Sequence, residues 1–241
     1  MLYENVVLRL LSESKKDSFA GSLTRTVIDA ITNNIDQIND LEYLDSKGYQ
    51  KFSDEINFGE KRVKLTLSIK LDVSDQEKVD VLGAYYDDID EIKVTVRVKS
   101  PDGKIKPQDI RSIQIECYNV IRHEIEHLHW EGPSTAHDVY KEWERDRQNI
   151  SKLADYYTNE EEAQAHVTGL YNKAKKLRQP FFKVVDEQLK KIEDKVMTNV
   201  INKKPPDQRV TAIEELKTNL ERIRNSWIEY AKTRLPKAIL Q

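Results

Sequence analysis

Between Val63 and Val73 the chain sets an apolar residue at every second position: Val63, Leu65, Leu67, Ile69, Leu71 and Val73, with polar or charged residues between them. Ile92, Val94, Val96 and Val98 repeat the pattern. A period of two predicts strands with one buried and one solvated face. Such strands must pair, and their apolar face must be covered by something else. Ser100-Pro101-Asp102-Gly103 is a turn that stops the second strand. Between the two lies Val79 to Asp90, with Gly83 followed by Ala84, Tyr85 and Tyr86, and no element is assigned to it. Ser46 to Glu60 reads as a loop.

The cover comes from helices. From about Ser18 to Leu44, Val27, Ile28, Ile31, Ile35 and Ile38 recur at helical spacing. Pro107 and Asp109 suit a first helical turn and open a second helix, with Ile113, Cys117, Val120, Ile121 and Leu128 as its apolar positions. Gly132-Pro133 breaks it after Trp130. A helix is expected around Val139 to Leu153. Thr158-Asn159 caps another that begins with Glu160-Glu161-Glu162 and runs to about Leu177, before Pro180. Phe181 to Val200 and Val210 to Arg234 are two more, around a Lys203 to Asp207 linker, with Trp227, Tyr230 and Leu235 as apolar positions. The order implies an α+β fold, a small sheet packed on one side of a helical body. The expected division is a domain over 1–178 and a C-terminal helical extension over 179–241. The domain holds strands at about 61–99, a helix at about 107–130 and another at about 159–178.

Composition narrows the class. Charged residues make up 34% of the 241 and only 7 are glycine and 7 proline, which suits a helix-rich chain with solvated faces. A net charge of −3 argues against nucleic-acid binding by bulk charge. Cys117 is the only cysteine, so an intrachain disulfide and a cysteine-based zinc site are both excluded. With no base beside it in sequence, that thiol reads as core. No stretch is long and apolar enough for a membrane span. Met1 to Leu11 is interrupted by Glu4 and Arg9 and makes a poor signal peptide. The expectation is a cytoplasmic protein in a reducing compartment.

Three of the five histidines fall between His123 and His129. His123 and His127 are four apart on an expected helix, so both imidazoles project from one face, one turn apart. Two neutral imidazoles at that spacing can chelate one Zn²⁺. Glu124, beside the first of them, can reach the open position of such a metal without binding it, as the general base for a metal-activated water must. A catalytic zinc needs a third protein ligand. His129, two residues past His127, points off that face and suits surface or supporting duty.

His123-Glu124-Ile125-Glu126-His127 resembles the zinc-binding helix of the zincin metallopeptidases. The zincins whose third ligand is a histidine six residues past the motif are not matched: Trp130 stands where their glycine belongs and Pro133 where that histidine belongs. Tyr156 to His166 instead resembles the Tyr-rich, Glu-x-x-Ala-His third-ligand segment of small phage-type and bacterial zincins, of the glutamate type called gluzincins. Two registers fit, Glu160 with Ala163 and Glu162 with Ala165. The resemblance favours Glu162 and leaves Glu160 and Glu161 open. It covers about Gly83 to Tyr171.

The resemblance implies a zincin-like fold, a Zn²⁺ cofactor and a metalloendopeptidase-like activity on a peptide or protein substrate; charge balance and hydropathy add the expectation of no nucleic-acid or membrane partner. It implies that Ile92 to Val98 forms the cleft edge, where an extended peptide adds as a strand; the alternative for that run is an ordinary interior strand. It also implies a donor to the reaction's oxyanion, for which Tyr156, Tyr157, His166 and His137 are the candidates. Ser134 to Asp138 would be a lid. The competing expectation is a catalytically silent zincin fold serving as a binding, sensor or virion-associated protein, located in a host cytoplasm or virion if viral.

Overall fold

In the computed structural model the described residues are 2–40, 49–58, 61–86, 88–130, 139, 142, 143, 146 and 149–235. They form an α+β chain with one four-stranded mixed sheet and seven α-helices among the described residues. Contacts divide it into two compact units, 1–129 and 130–241.

The first unit holds helix α1 (Leu2–Asn33), the short α2 (Ile35–Ile38), strands β1 (Tyr49–Phe58), β2 (Lys61–Val73), β3 (Lys78–Tyr86) and β4 (Glu91–Ser100), and helix α3 (Pro107–Leu128). The sheet order is β1-β2-β4-β3. β1 and β3 run antiparallel to their neighbours, whereas β2 and β4 are parallel. The chain leaves β2, passes over one strand position to make β3, and returns as β4 in the gap. Register aligns the two alternating runs: Leu65 faces Ile92, Leu67 faces Val94, Ile69 faces Val96 and Leu71 faces Val98. All eight are buried, on one face. Phe52 and Ile56 of β1 and Val79, Val81 and Tyr85 of β3 extend that face at lower burial.

Two expectations need correcting. The loop expected over Ser46 to Glu60 is strand β1 from Tyr49 to Phe58. Its alternation is hidden because Gln50 and Asp54 occupy inward-register positions, opposite Ile69 and Leu65. The run Ile92 to Val98 is not a sheet edge: β4 is paired on both sides, β3 is the edge on its side and β1 is the other. Sequence order misleads here, because β3 precedes β4 in the chain but lies outside it in the sheet.

Helices α1 and α3 cover the apolar face. Phe19, Ala20, Leu23, Val27 and Ile31 of α1 and Ile113, Cys117, Tyr118, Ile121, Ile125 and Leu128 of α3 join the strands in one core. α3 starts where Asp109 accepts a 2.8 Å bond from the Lys106 backbone N–H, with Pro107 in its first turn. Asn39 fixes the approach: it accepts from Ile105 N at 2.9 Å and donates to Ile105 O at 3.3 Å.

A buried charge network ties α1 to α3. Arg122 is fully buried, and its guanidinium binds Glu126 on α3 and, at 2.9 Å, Asp17 on α1. Lys16 Nζ lies 3.0 Å from the other Glu126 oxygen. Burial by itself raises the Glu126 carboxyl, but Arg122 and then Lys16 outweigh it and hold the carboxyl below its ordinary value of 4.5.

The second unit is helical: α4 (Ile150–Thr158), α5 (Glu160–Leu177), α6 (Phe181–Asn199), a 3-10 turn (Ile201–Lys203) and α7 (Pro206–Arg234). The helix expected from Val139 to Leu153 lies partly outside the described residues; among those described, Asn149 caps a helix, α4, that starts at Ile150 and reaches Thr158. One core joins Ala163, Val167, Leu170 and Ala174 of α5 to Phe181, Val184 and Leu189 of α6 and to Leu216, Ile223 and Trp227 of α7. The break therefore falls after His129 rather than near 178, because the apolar stripe of α5 is shared with the last two helices. Among the described residues no helix is long and apolar enough to cross a membrane.

The network makes two measurable demands. Arg122→Ala leaves Glu126 buried without its main cation, and is expected to lower unfolding stability at neutral pH by about 3–5 kcal/mol. Glu126 has a lowered folded-state pKa, so its stabilisation is full above the ordinary glutamate range and is lost as pH falls through the folded value. Urea unfolding of the wild type and Glu126→Gln at pH 7 and pH 3 should show a gap that narrows in acid; an equal gap at both would refute the role given to this carboxylate.

Candidate metal centre

The last two turns of α3 bring His123, Glu124 and His127 together, with one potential ligand atom from each within 4.8 Å of the others. Both histidines are half-buried and Glu124 is 6% exposed. The rings meet edge to face, 4.9 Å between centroids, and the two Nε2 atoms are 3.1 Å apart. Two Zn–N bonds of about 2.0–2.1 Å at a tetrahedral angle put their nitrogens about 3.3 Å apart. The pair therefore fits a zinc ion with only a small opening of the rings. Without a metal, the same separation suits an N–H···N hydrogen bond between neutral imidazoles.

The two glutamates of the motif, two residues apart on a helix, face different neighbours. Glu126 turns to α1, where Arg122 and Lys16 take both its oxygens. Glu124 turns to β3. A Cβ placed on Gly83 would fall 2.5 Å from Glu124 Oε1 and 3.0 Å from its carboxyl carbon. Glu126 is thus committed to holding the helix, and Glu124 remains beside the histidines. His129 Nδ1 lies 2.9 Å from Ile125 O, where it must be the donor, since a carbonyl only accepts. That contact ties His129 to the end of its own helix.

The remaining sequence candidates belong to the second unit. Asn159 caps α5 by accepting from Glu161 N at 3.0 Å, so all three glutamates sit in the first turn. Glu160 is exposed, whereas Glu161 and Glu162 are 5% and 4% exposed. Glu162 Oε2 is 3.6 Å from His166 Nε2, one turn along. The His166 ring packs against two aromatics, Trp227 nearly parallel at 5.0 Å and Tyr157 tilted at 5.0 Å. Trp227 is fully buried and donates its indole N–H to Tyr157 O at 2.9 Å. Tyr156 stacks on Trp143 at 6.4 Å and meets Tyr157 edge-on. His137 and the Ser134 to Asp138 lid lie outside the described residues.

Cys117 is fully buried, and desolvation, followed by the nearby Glu116 charge, pushes its thiol well above the ordinary range. It is a core residue.

Sequence reasoning missed Lys16, Asp17 and Gly83. The first two carry no local signal, since their partners are more than 100 residues away. Gly83 did carry one. Val79, Val81, Gly83 and Tyr85 alternate, and a glycine inside such a run marks a close approach of another element.

Comparison with protein-family models, curated proteins and solved structures gives no match.

Protein purified without chelator and dialysed free of loose metal is expected to carry close to one zinc per chain. His123→Ala and His127→Ala should each abolish that binding without unfolding the chain. A wild-type content below about half an equivalent would remove the basis for a metal centre here.

Proposed function

We propose that the protein is a zinc-dependent peptidase of the glutamate-type zincin kind, with His123, His127 and Glu162 as metal ligands and Glu124 as general base. The observation that carries this reading is the 3.1 Å separation of the two Nε2 atoms with the buried Glu124 carboxylate beside them. The exposure of Glu160 and the burial of Glu162 next to His166 support Glu162 over its neighbour as the third ligand. The α+β architecture, with the motif on a helix packed under a small sheet, is compatible with a zincin-like fold.

When bound, zinc would supply Lewis-acid polarisation of the scissile carbonyl and of the attacking water. Glu124 accepts a proton from that water as it adds to the carbonyl carbon, then delivers it to the nitrogen of the departing amine. Its burial, at 6% exposure, keeps bulk water from competing for that proton. His123 and His127 hold their neutral forms to ligate, so activity falls when acid protonates them. His166, fixed by Tyr157, Trp227 and Glu162, is the leading donor to the developing oxyanion, with Tyr157 as the other. The substrate is a peptide or protein, and the edge available for strand addition is β3 rather than β4. A reducing, cytoplasmic setting suits a chain whose lone thiol is buried.

Glu124→Gln is expected to keep stoichiometric zinc and to lose about 10²–10⁴-fold in kcat on a cleavable peptide. Glu162→Gln should weaken zinc binding, whereas Glu160→Gln should not; the opposite order would move the third ligand. Full activity in Glu124→Gln would refute the mechanism. Zinc binding without cleavage across peptide libraries would favour a silent binding or sensor protein instead.

A further inference from the structure

Gly83 stands at the inward register position of β3, in a row that runs Phe52, Leu67, Val94, Gly83 across the sheet. Its neighbours on the same face, Val81 and Tyr85, pack their side chains on the core. The backbone does not require glycine here: among the described residues Gly103 is the only glycine with positive φ, and Gly83 lies in extended strand. A glycine inside a strand loses packing area and pays extra chain entropy. What it provides at this point is space. An added Cβ would overlap Val120 Cγ1 and come within 2.5 Å of Glu124 Oε1 and 3.0 Å of Glu124 Cδ, all on α3.

We propose that Gly83 is a positioning residue for the general base: the side chain missing from β3 is the recess that receives the Glu124 carboxylate and fixes its direction relative to His123 and His127. This rests on the peptidase reading for its catalytic consequence. Val120 is β-branched on a helix and has one strongly preferred rotamer, so it cannot turn aside. β3 is held by its ladder to β4, with Leu82 opposite Thr95 and Ala84 opposite Lys93, and by Tyr85 OH donating to Asp90 at 2.7 Å. Of the atoms that an added Cβ would meet, only the Glu124 carboxylate lies at the far end of a long, rotatable side chain. Filling the recess therefore turns the carboxylate away and leaves the imidazoles, one turn apart on the helix, where they are.

The test uses the zinc-loaded full chain with Gly83→Ala, Val120→Ala and the double variant Gly83→Ala/Val120→Ala. The double variant relieves the packing overlap and keeps the carboxylate overlap, so it reports on Glu124 even if Gly83→Ala alone folds poorly. In the crystal structure of the double variant, the Glu124 carboxylate is expected to move by about 1 Å or more, with zinc content and the His123–His127 geometry unchanged. A displacement of that size lowers kcat about 100-fold, with KM little altered and Val120→Ala near wild type. An unmoved carboxylate, or kcat within a fewfold of Val120→Ala, overturns the proposal. Glu124→Gln run alongside separates the two claims. If it stays active, the peptidase reading fails, and the crystal structure alone then decides whether Gly83 sets the carboxylate.

Discussion

Helix α3 carries two acidic side chains and a cation into the interior, and the first unit is arranged around that load. A buried guanidinium and a buried carboxylate each cost several kcal/mol to desolvate, and their attraction repays this only when every remaining donor and acceptor is engaged. Arg122, at 0% exposure, spans from Glu126 to Asp17, and Lys16 closes the other side of Glu126. An apolar contact between α1 and α3 would tolerate sliding by a turn. A network with paired charges from positions 16, 17, 122 and 126 does not, since any slip leaves a buried charge without its partner. The azimuth of α3 over the sheet follows, and with it the direction in which His123, Glu124 and His127 point.

How far the sequence foretold this depends on whether the signal was local. β2, β4 and the start of α3 were legible because alternation and first-turn chemistry are carried by adjacent residues. β1 was not, because Gln50 and Asp54 interrupt its inward face and its place in the sheet comes from pairing with β2. β3 was hidden by Gly83 itself. The placement of β4 between two neighbours depends on the chain passing over a strand position, which no local pattern records. The convergence of His123 and His127 was legible, since a spacing of four on a helix puts both imidazoles on one face. Glu124 stood out by its place beside His123, but what each of the two glutamates packs against was not legible. It is decided by α1 on one side and β3 on the other, both distant in sequence.

The second unit shows the same limits from the other direction. Its helix ends were legible: Asn159 caps α5, and Pro180 stands immediately before α6. The C-terminal helices carried no catalytic signal, yet Trp227 of α7 stacks on His166 and bonds the backbone of Tyr157. A tryptophan at a helical core position looks the same in sequence whether it fills space or fixes an imidazole. Here it does both, which is why the unit's boundary encloses α7 together with the helix that bears Glu162.

The two imidazole Nε2 atoms stand 3.1 Å apart, a separation that the four-residue spacing on α3 sets. A metal held there, as proposed, would meet a geometry that the helix builds before any ion arrives. Glu124 completes that preparation from the side of β3. Its carboxylate lies against Gly83 of β3, whereas that of Glu126 is engaged by Arg122 and Lys16. A motif with two glutamates is thereby resolved into one that ties α3 to α1 and one that lies against β3 beside the histidines.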